Sequence, residues 1–136
     1  MDTIKSNLIM NNLAFTKISI NRSFELSNCI EIVGSFNVKY EEINDEEINV
    51  YLSYNAKSKK EDLTIELELK GKFSVFDIED EDVKRYLLHV NSIAIMFPFL
   101  RSQISIVTTQ PGLVPIQIPI VNAISLAREA GFVDKK

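Results

Sequence analysis

From Ile18 to Leu26 apolar and polar residues alternate, Ile18, Ile20, Phe24 and Leu26 against Ser19, Asn21, Ser23 and Glu25, with Arg22 the one break on the apolar side. A period of two marks a strand with one buried and one wet face. The same phase returns in Phe36, Val38 and Tyr40 and in Ile48, Val50, Leu52 and Tyr54, with the acids Glu41, Glu42, Asp45, Glu46 and Glu47 forming a solvated turn between them. The longest run sets Leu63, Ile65, Leu67, Leu69, Phe73 and Val75 against Thr64, Glu66, Glu68, Lys70 and Lys72, so Lys57 to Asp62 reads as a hairpin turn. Short polar connections cannot carry a parallel crossover, and the pattern predicts an antiparallel meander.

After Asp77 the spacing becomes helical. Glu79, Asp80, Glu81 and Asp82 sit where a helix start favours negative charge, and Val83, Tyr86, Leu87 and Val90 share a side. Asn91-Ser92 is expected to interrupt this helix. A second is predicted from about Ile93 to Thr109, ended by Gln110-Pro111-Gly112, with Pro98 bending it or marking its first turn. Phe97, Leu100, Ile104 and Val107 form one stripe of that helix and Phe99 and Ile106 an adjacent one, more apolar surface than one contact with a sheet covers. A second partner surface is implied. Residues 112–119 read as a loop with a short strand, and Val121 to Ala130 as a last helix capped by Gly131.

Composition narrows the function classes. The chain of 136 residues is 46% hydrophobic and 25% charged, which suits a single domain, here 1–136, with residues 1–12 and 132–136 expected to be mobile ends. A net charge of -4 argues against nucleic acid and anionic membranes as partners. Met1 to Lys5 carry no basic region followed by an apolar core, and the most apolar stretch, Ile93 to Leu100, is less than half the length of a spanning helix. A soluble protein without direct membrane insertion is expected. Cys29, the single cysteine, suits a reducing compartment such as the cytoplasm.

Catalytic chemistry finds little footing. His89 is the only histidine and sits in a helix beside Leu87, Leu88 and Val90, so a structural role is expected. Cys29 has no basic neighbour to activate its thiol. The acidic runs lack the spacing of a calcium loop, and the glycines Gly34, Gly71, Gly112 and Gly131 are too scattered to cradle phosphate. The residues therefore predict no enzyme, no metal and no cofactor.

Gly71-Lys72-Phe73-Ser74-Val75, then Asn91 to Arg101 with its Phe97-Pro98-Phe99-Leu100-Arg101 element, then Ile104 to Thr109 and Pro115 to Asn122, resemble the SecB protein-export chaperones; Ser23-Phe24-Glu25 resembles that family's first strand. The resemblance implies an α+β fold, a four-stranded antiparallel sheet with helices packed on one face. It also implies a homotetramer, a dimer of dimers built through edge strands and the long helix. By the resemblance, grooves beside the helix take unfolded precursor polypeptides without ATP, and acids on the exposed strand face contact the SecA motor ATPase. Glu25 and Glu66 match two such acids, whereas Asn21 and Thr64 depart at two further positions, and the ending Gly131 to Lys136 lacks an acidic tail. Divergent SecB-like proteins protect an antitoxin of a toxin-antitoxin system, which stands as the alternative client. A self-assembling structural protein without clients is the alternative from another class.

The expected site residues follow. The client groove draws on Phe97, Phe99, Leu100, Ile104 and Val107 of the helix and on Leu113, Val114 and Ile116 of the following loop. Phe99, Gln103 and Ile106 are expected at the oligomer interface, and Glu25 and Glu66 at a basic partner.

Overall fold

Strands β1 (Leu8–Arg22), β2 (Ile32–Asn44), β3 (Glu47–Ser58) and β4 (Leu63–Val75) form one antiparallel sheet in the order β1-β4-β3-β2. This computed structural model describes residues 7–26, 31–118 and 121–133. The expected meander covers β2, β3 and β4 only. β1 crosses to the far edge and pairs with β4, which turns the meander into a Greek-key order.

One face of the sheet is the core. Ile48, Val50, Leu52, Tyr54 and Ala56 of β3 and Leu63, Ile65, Leu67, Leu69, Phe73 and Val75 of β4 all point to it and are buried. Two glycines on this face make room for larger neighbours. A Cβ at Gly34 would lie 2.4 Å from the Tyr54 hydroxyl, and one at Gly71 would lie 2.6 Å from the Phe73 ring and 3.0 Å from Met96 Sδ. The absence of a side chain at Gly71 therefore sets how closely the covering helix approaches β4.

That helix is continuous over Glu81–Val107, so the expected break at Asn91-Ser92 does not occur. It comprises α1 (Glu81–Tyr86), a π turn (Leu87–Asn91) and α2 (Ser92–Val107). Asp80 caps the start by accepting from the backbone amides of Asp82 and Val83. Ser92 folds its hydroxyl back onto the Leu88 carbonyl, 2.5 Å away, which lets a polar residue remain inside the helix. Pro98 also lies inside α2. Both Pro98 and Ala94, whose carbonyl loses its usual amide donor, are exposed, so water can satisfy that carbonyl. By length and composition the 27-residue helix would suffice to cross a bilayer, but its Ile93, Met96, Phe97, Leu100 and Ile104 are packed into the core over β3 and β4.

Helix α3 (Ala123–Glu129) packs on β2, α2 and the π turn. Asn122 caps its first turn. Gly131 at φ +103° closes it in a Schellman arrangement, with Phe132 N–H donating to the Ala127 carbonyl and Gly131 N–H to that of Arg128. Residues 112–118 contain no strand; Gln110 and Leu113 form a single bridge.

Parts of the two segments expected to be mobile ends are ordered within the fold. Leu8 to Asn12 belong to β1, and Phe132 is buried against the core. Phe24 and Leu26, which continue the alternation, lie beyond the strand. β4 begins at Leu63, opposite Arg22, and past that pair the Ser23 amide donates to the Asp62 carbonyl, 2.8 Å away in the turn before β4.

Candidate functional site

β1 carries two irregularities, between Met10 and Asn12 and between Phe15 and Lys17. Each inserts one residue and shifts the side-chain phase by one, so the positions facing the helices run Leu8, Met10, Leu13, Phe15, Ile18, Ile20, Arg22. Their register partners on β4 are core residues, yet α2 lies over β3 and β4 and α3 over β2. Ile18 is consequently 52% exposed and Met10 39%, with Leu13, Phe15 and Ile20 half-buried between them. The result is an apolar strip along an edge strand, on the same side of the sheet as the helix.

A second strip runs along the outer side of α2, where Ile95, Phe99 and Ile106 are exposed at 37%, 48% and 63%. Their i, i+4, i+11 spacing puts them on one side of the helix, away from the sheet. Val114 on the following loop is also exposed.

The expected groove residues divide into three groups. Phe97, Leu100 and Ile104 are core residues and not part of an open groove: Phe97 meets the Phe36 ring edge-on at 5.3 Å, and Leu100 and Ile104 are fully buried. They lie on the side of α2 that covers the sheet. Val107, Leu113 and Ile116 are half-buried, while Phe99 and Val114 are open. Of the expected interface stripe, Phe99 and Ile106 are exposed together and Gln103 sits half-buried on the flank; Ile95 takes its place.

The expected acidic docking face is not present as read. Glu25 lies in the bend after β1 and belongs to no strand. Glu66 is on the open face of β4 but forms an ion pair with Lys17 of β1. On that face Lys17, Lys39, Lys57, Lys70 and Lys72 interleave with Glu41, Glu47, Glu66 and Glu68, so the surface is of mixed charge. Two of these lysines, Lys39 and Lys70, stand 5.7 and 5.2 Å from the centre of the Tyr51 ring.

His89 is buried, with a hydrogen-bond partner at each ring nitrogen. Its Nδ1 lies 2.9 Å from the Arg85 carbonyl and its Nε2 3.0 Å from Glu42 Oε1, while its own carbonyl accepts from the Tyr40 hydroxyl at 2.6 Å. Phe132 and Tyr40 pack against the ring. A cleft of about 440 Å³ beside it is lined by Glu42, Asp45, Glu47, Glu81 and Arg85 together with Ile43, Ile48 and Leu88, and among the described residues no three metal-ligating side chains converge. Cys29 lies outside the described residues.

Burial raises the pKa of Tyr40 well above its ordinary value, and raises that of Tyr54 in the same way. The unfolded chain therefore ionises these phenols first. Their contribution to stability is complete below a tyrosine's ordinary pKa of about 10 and is lost as pH rises above it. Tyr40→Phe, which also removes the bond to the His89 carbonyl, is expected to cost about 1 kcal/mol at neutral pH and to flatten the decline above pH 10. Urea titrations at a series of pH values check both effects.

The fold is thus a four-stranded antiparallel sheet with a long helix over its central strands and apolar strips exposed on β1 and α2. The family described as preprotein translocase subunit SecB matches residues 5–130, and the chain belongs to the SecB family of chaperones. Among solved structures, the Mycobacterium tuberculosis Rv1957 SecB-like chaperone, in complex with a ChAD peptide from the Rv1956 HigA1 antitoxin, is similar in fold. Its TM-score is 0.66 at 13% identity, over 85% of this chain and 91% of that one. No curated protein sequence matches the chain.

Proposed function

We propose that this protein is a non-enzymatic, ATP-independent cytoplasmic chaperone that holds unfolded polypeptides as a homo-oligomer, most simply a tetramer. The observation that carries the reading is the β1 strip. Five apolar side chains of one strand face the helix side of the sheet and stay partly uncovered. An extended client along it gains roughly 25 cal/mol for each Å² of apolar surface covered, less the cost of ordering the client. Many modest contacts of this kind give broad binding without sequence selectivity.

The test is dilution of a denatured, slow-folding precursor into buffer with and without the protein, omitting nucleotide, while light scattering follows aggregation. Stoichiometric oligomer is expected to suppress aggregation. Unaltered aggregation together with no binding would leave self-assembly as the role of the apolar surface.

The outer stripe of α2 is the natural oligomer contact, because Ile95, Phe99 and Ile106 are exposed side by side. Replacing Phe99 and Ile106 together with aspartate is expected to lower the mass measured by multi-angle light scattering by at least half. An unchanged mass would place the contact elsewhere.

Two client routes are open to such a chaperone. Transfer of secretory precursors to SecA rests on the family and on Glu25 and Glu66; the Lys17–Glu66 ion pair and the position of Glu25 outside the strand weaken that support. Protection of an antitoxin is the second reading, prompted by the fold neighbour that holds an antitoxin peptide. Reversing both glutamate charges separates the routes: SecA binding falls if the acids dock the motor, and antitoxin binding is unaffected.

A further inference from the structure

Arg22 faces the same side of β1 as Ile18 and Ile20, at the end of the apolar strip, and it is the one charge on that side. Its guanidinium donates to three backbone carbonyls: Ser23 at 3.2 Å from Nε, Phe24 at 3.3 Å from Nη2 and Pro111 at 3.2 Å from Nη1. The first two belong to the bend after β1. The third belongs to the loop after α2, 89 residues away in the chain. Gly112, at φ +75°, turns that loop directly against the guanidinium, and a Cβ there would stand 3.4 Å from Nη2. At its other end the loop is tied by the Ile116 amide, which donates to the buried Thr108 hydroxyl at 2.9 Å. Leu113 and Val114 lie between these two ties, and Ile116 at the second.

We infer that Arg22 is a positioning residue for client binding, locking the loop after α2 against the end of the β1 strip so that the two present one surface. The inference rests on the client-binding reading above. A guanidinium suits the task because its planar fork can serve several acceptors at once, and a lysine ammonium in the same place reaches fewer of them. The loop's own bonds are few, chiefly Leu113 N–H to the Gln110 carbonyl and Gln110 Nε2 to that of Val107. Without Arg22 the loop samples other positions, and apparent affinity falls by the fraction of time it is correctly placed.

The experiment compares wild type, Arg22→Ala and Arg22→Lys in two measurements. The first is amide hydrogen exchange of the free oligomer. The second is fluorescence titration with labelled, reduced and carboxymethylated lactalbumin as a permanently unfolded client. In Arg22→Ala, exchange at Leu113 and Ile116 is expected to quicken roughly tenfold and the client Kd to weaken by a similar factor, while amides of β3 and β4 keep their protection. Arg22→Lys is expected to fall between the two. Added client should restore much of the lost loop protection in Arg22→Ala, an effect that general destabilisation does not produce. Unchanged loop exchange in both variants overturns the inference, as does unchanged client affinity beside a normally binding wild type. If wild type itself binds no client, the chaperone reading fails by that result. The exchange measurement then still decides whether Arg22 holds the loop. Should Arg22→Ala fail to fold, Arg22→Lys carries both measurements.

Discussion

Ile18→Asp is expected to weaken binding of an unfolded client at least tenfold while the protein remains folded. Ile18 lies at the middle of the β1 strip, opposite Leu67, with half of its surface still in water. Burying such a side chain from full exposure is worth about 1.5–3 kcal/mol, so covering the half of Ile18 that remains exposed is worth about 1 kcal/mol, and each 1.4 kcal/mol is a factor of ten in affinity. An aspartate there removes the gain and adds the cost of desolvating a carboxylate under the client. The folded state has little to lose, because the substituted group stays solvated. Titration with a labelled unfolded client, alongside a urea melt and a light-scattering mass, separates the effects. Full affinity in a folded oligomer would remove β1 from the binding surface. The companion substitution Ser19→Asp, on the opposite face beside Glu66, should leave client affinity as it was.

Phe73→Ala is expected to cost about 3–5 kcal/mol of stability, a large share of what a domain of this size possesses. Phe73 is fully buried on β4, between Met10 of β1 and Ile48 of β3 in the register, and it fills the space that Gly71 leaves open. Its loss empties a cavity the surroundings cannot close, because the glycine contributes no side chain with which to do so. The urea midpoint, measured at one fixed protein concentration since assembly adds to apparent stability, reads the change. A shift worth less than about 1 kcal/mol would mean that α2 settles into the gap.

The central sheet was legible in the sequence because β3 and β4 are paired on both sides, and strict alternation is what such strands need. The edge strand was not. Asn11 and Thr16 are the extra residues of its two irregularities, and each turns the apolar phase over, so Met10, Leu13, Phe15 and Ile18 do not share one parity. A search for period two begins at Ile18, after the second irregularity, and runs on past Arg22 into residues that find no partner strand. Apolar residues spaced two, three, two, three and two apart from Leu8 to Ile20 would have been the signal. The missing break at Asn91-Ser92 has a similar local cause, since Ser92 satisfies its hydroxyl on the preceding turn and the adjoining π turn lets the helix continue.

By itself the sequence determined the fold class, the antiparallel pairing of β2, β3 and β4, the apolar side of α2 and the family, because each follows from periodicity or from contiguous motifs. Which apolar residues face water was decided by tertiary structure. Phe97, Leu100 and Ile104 differ from Phe99 and Ile106 only in the direction each points from one helix, and that direction means burial or exposure only once the helix has settled over β3 and β4. The pairing of Glu66 on the open face was decided the same way, by the crossing of β1 to the edge beside β4. That crossing sets Lys17 against Glu66 across 49 residues of chain and leaves a strip of β1 beyond the reach of the helices.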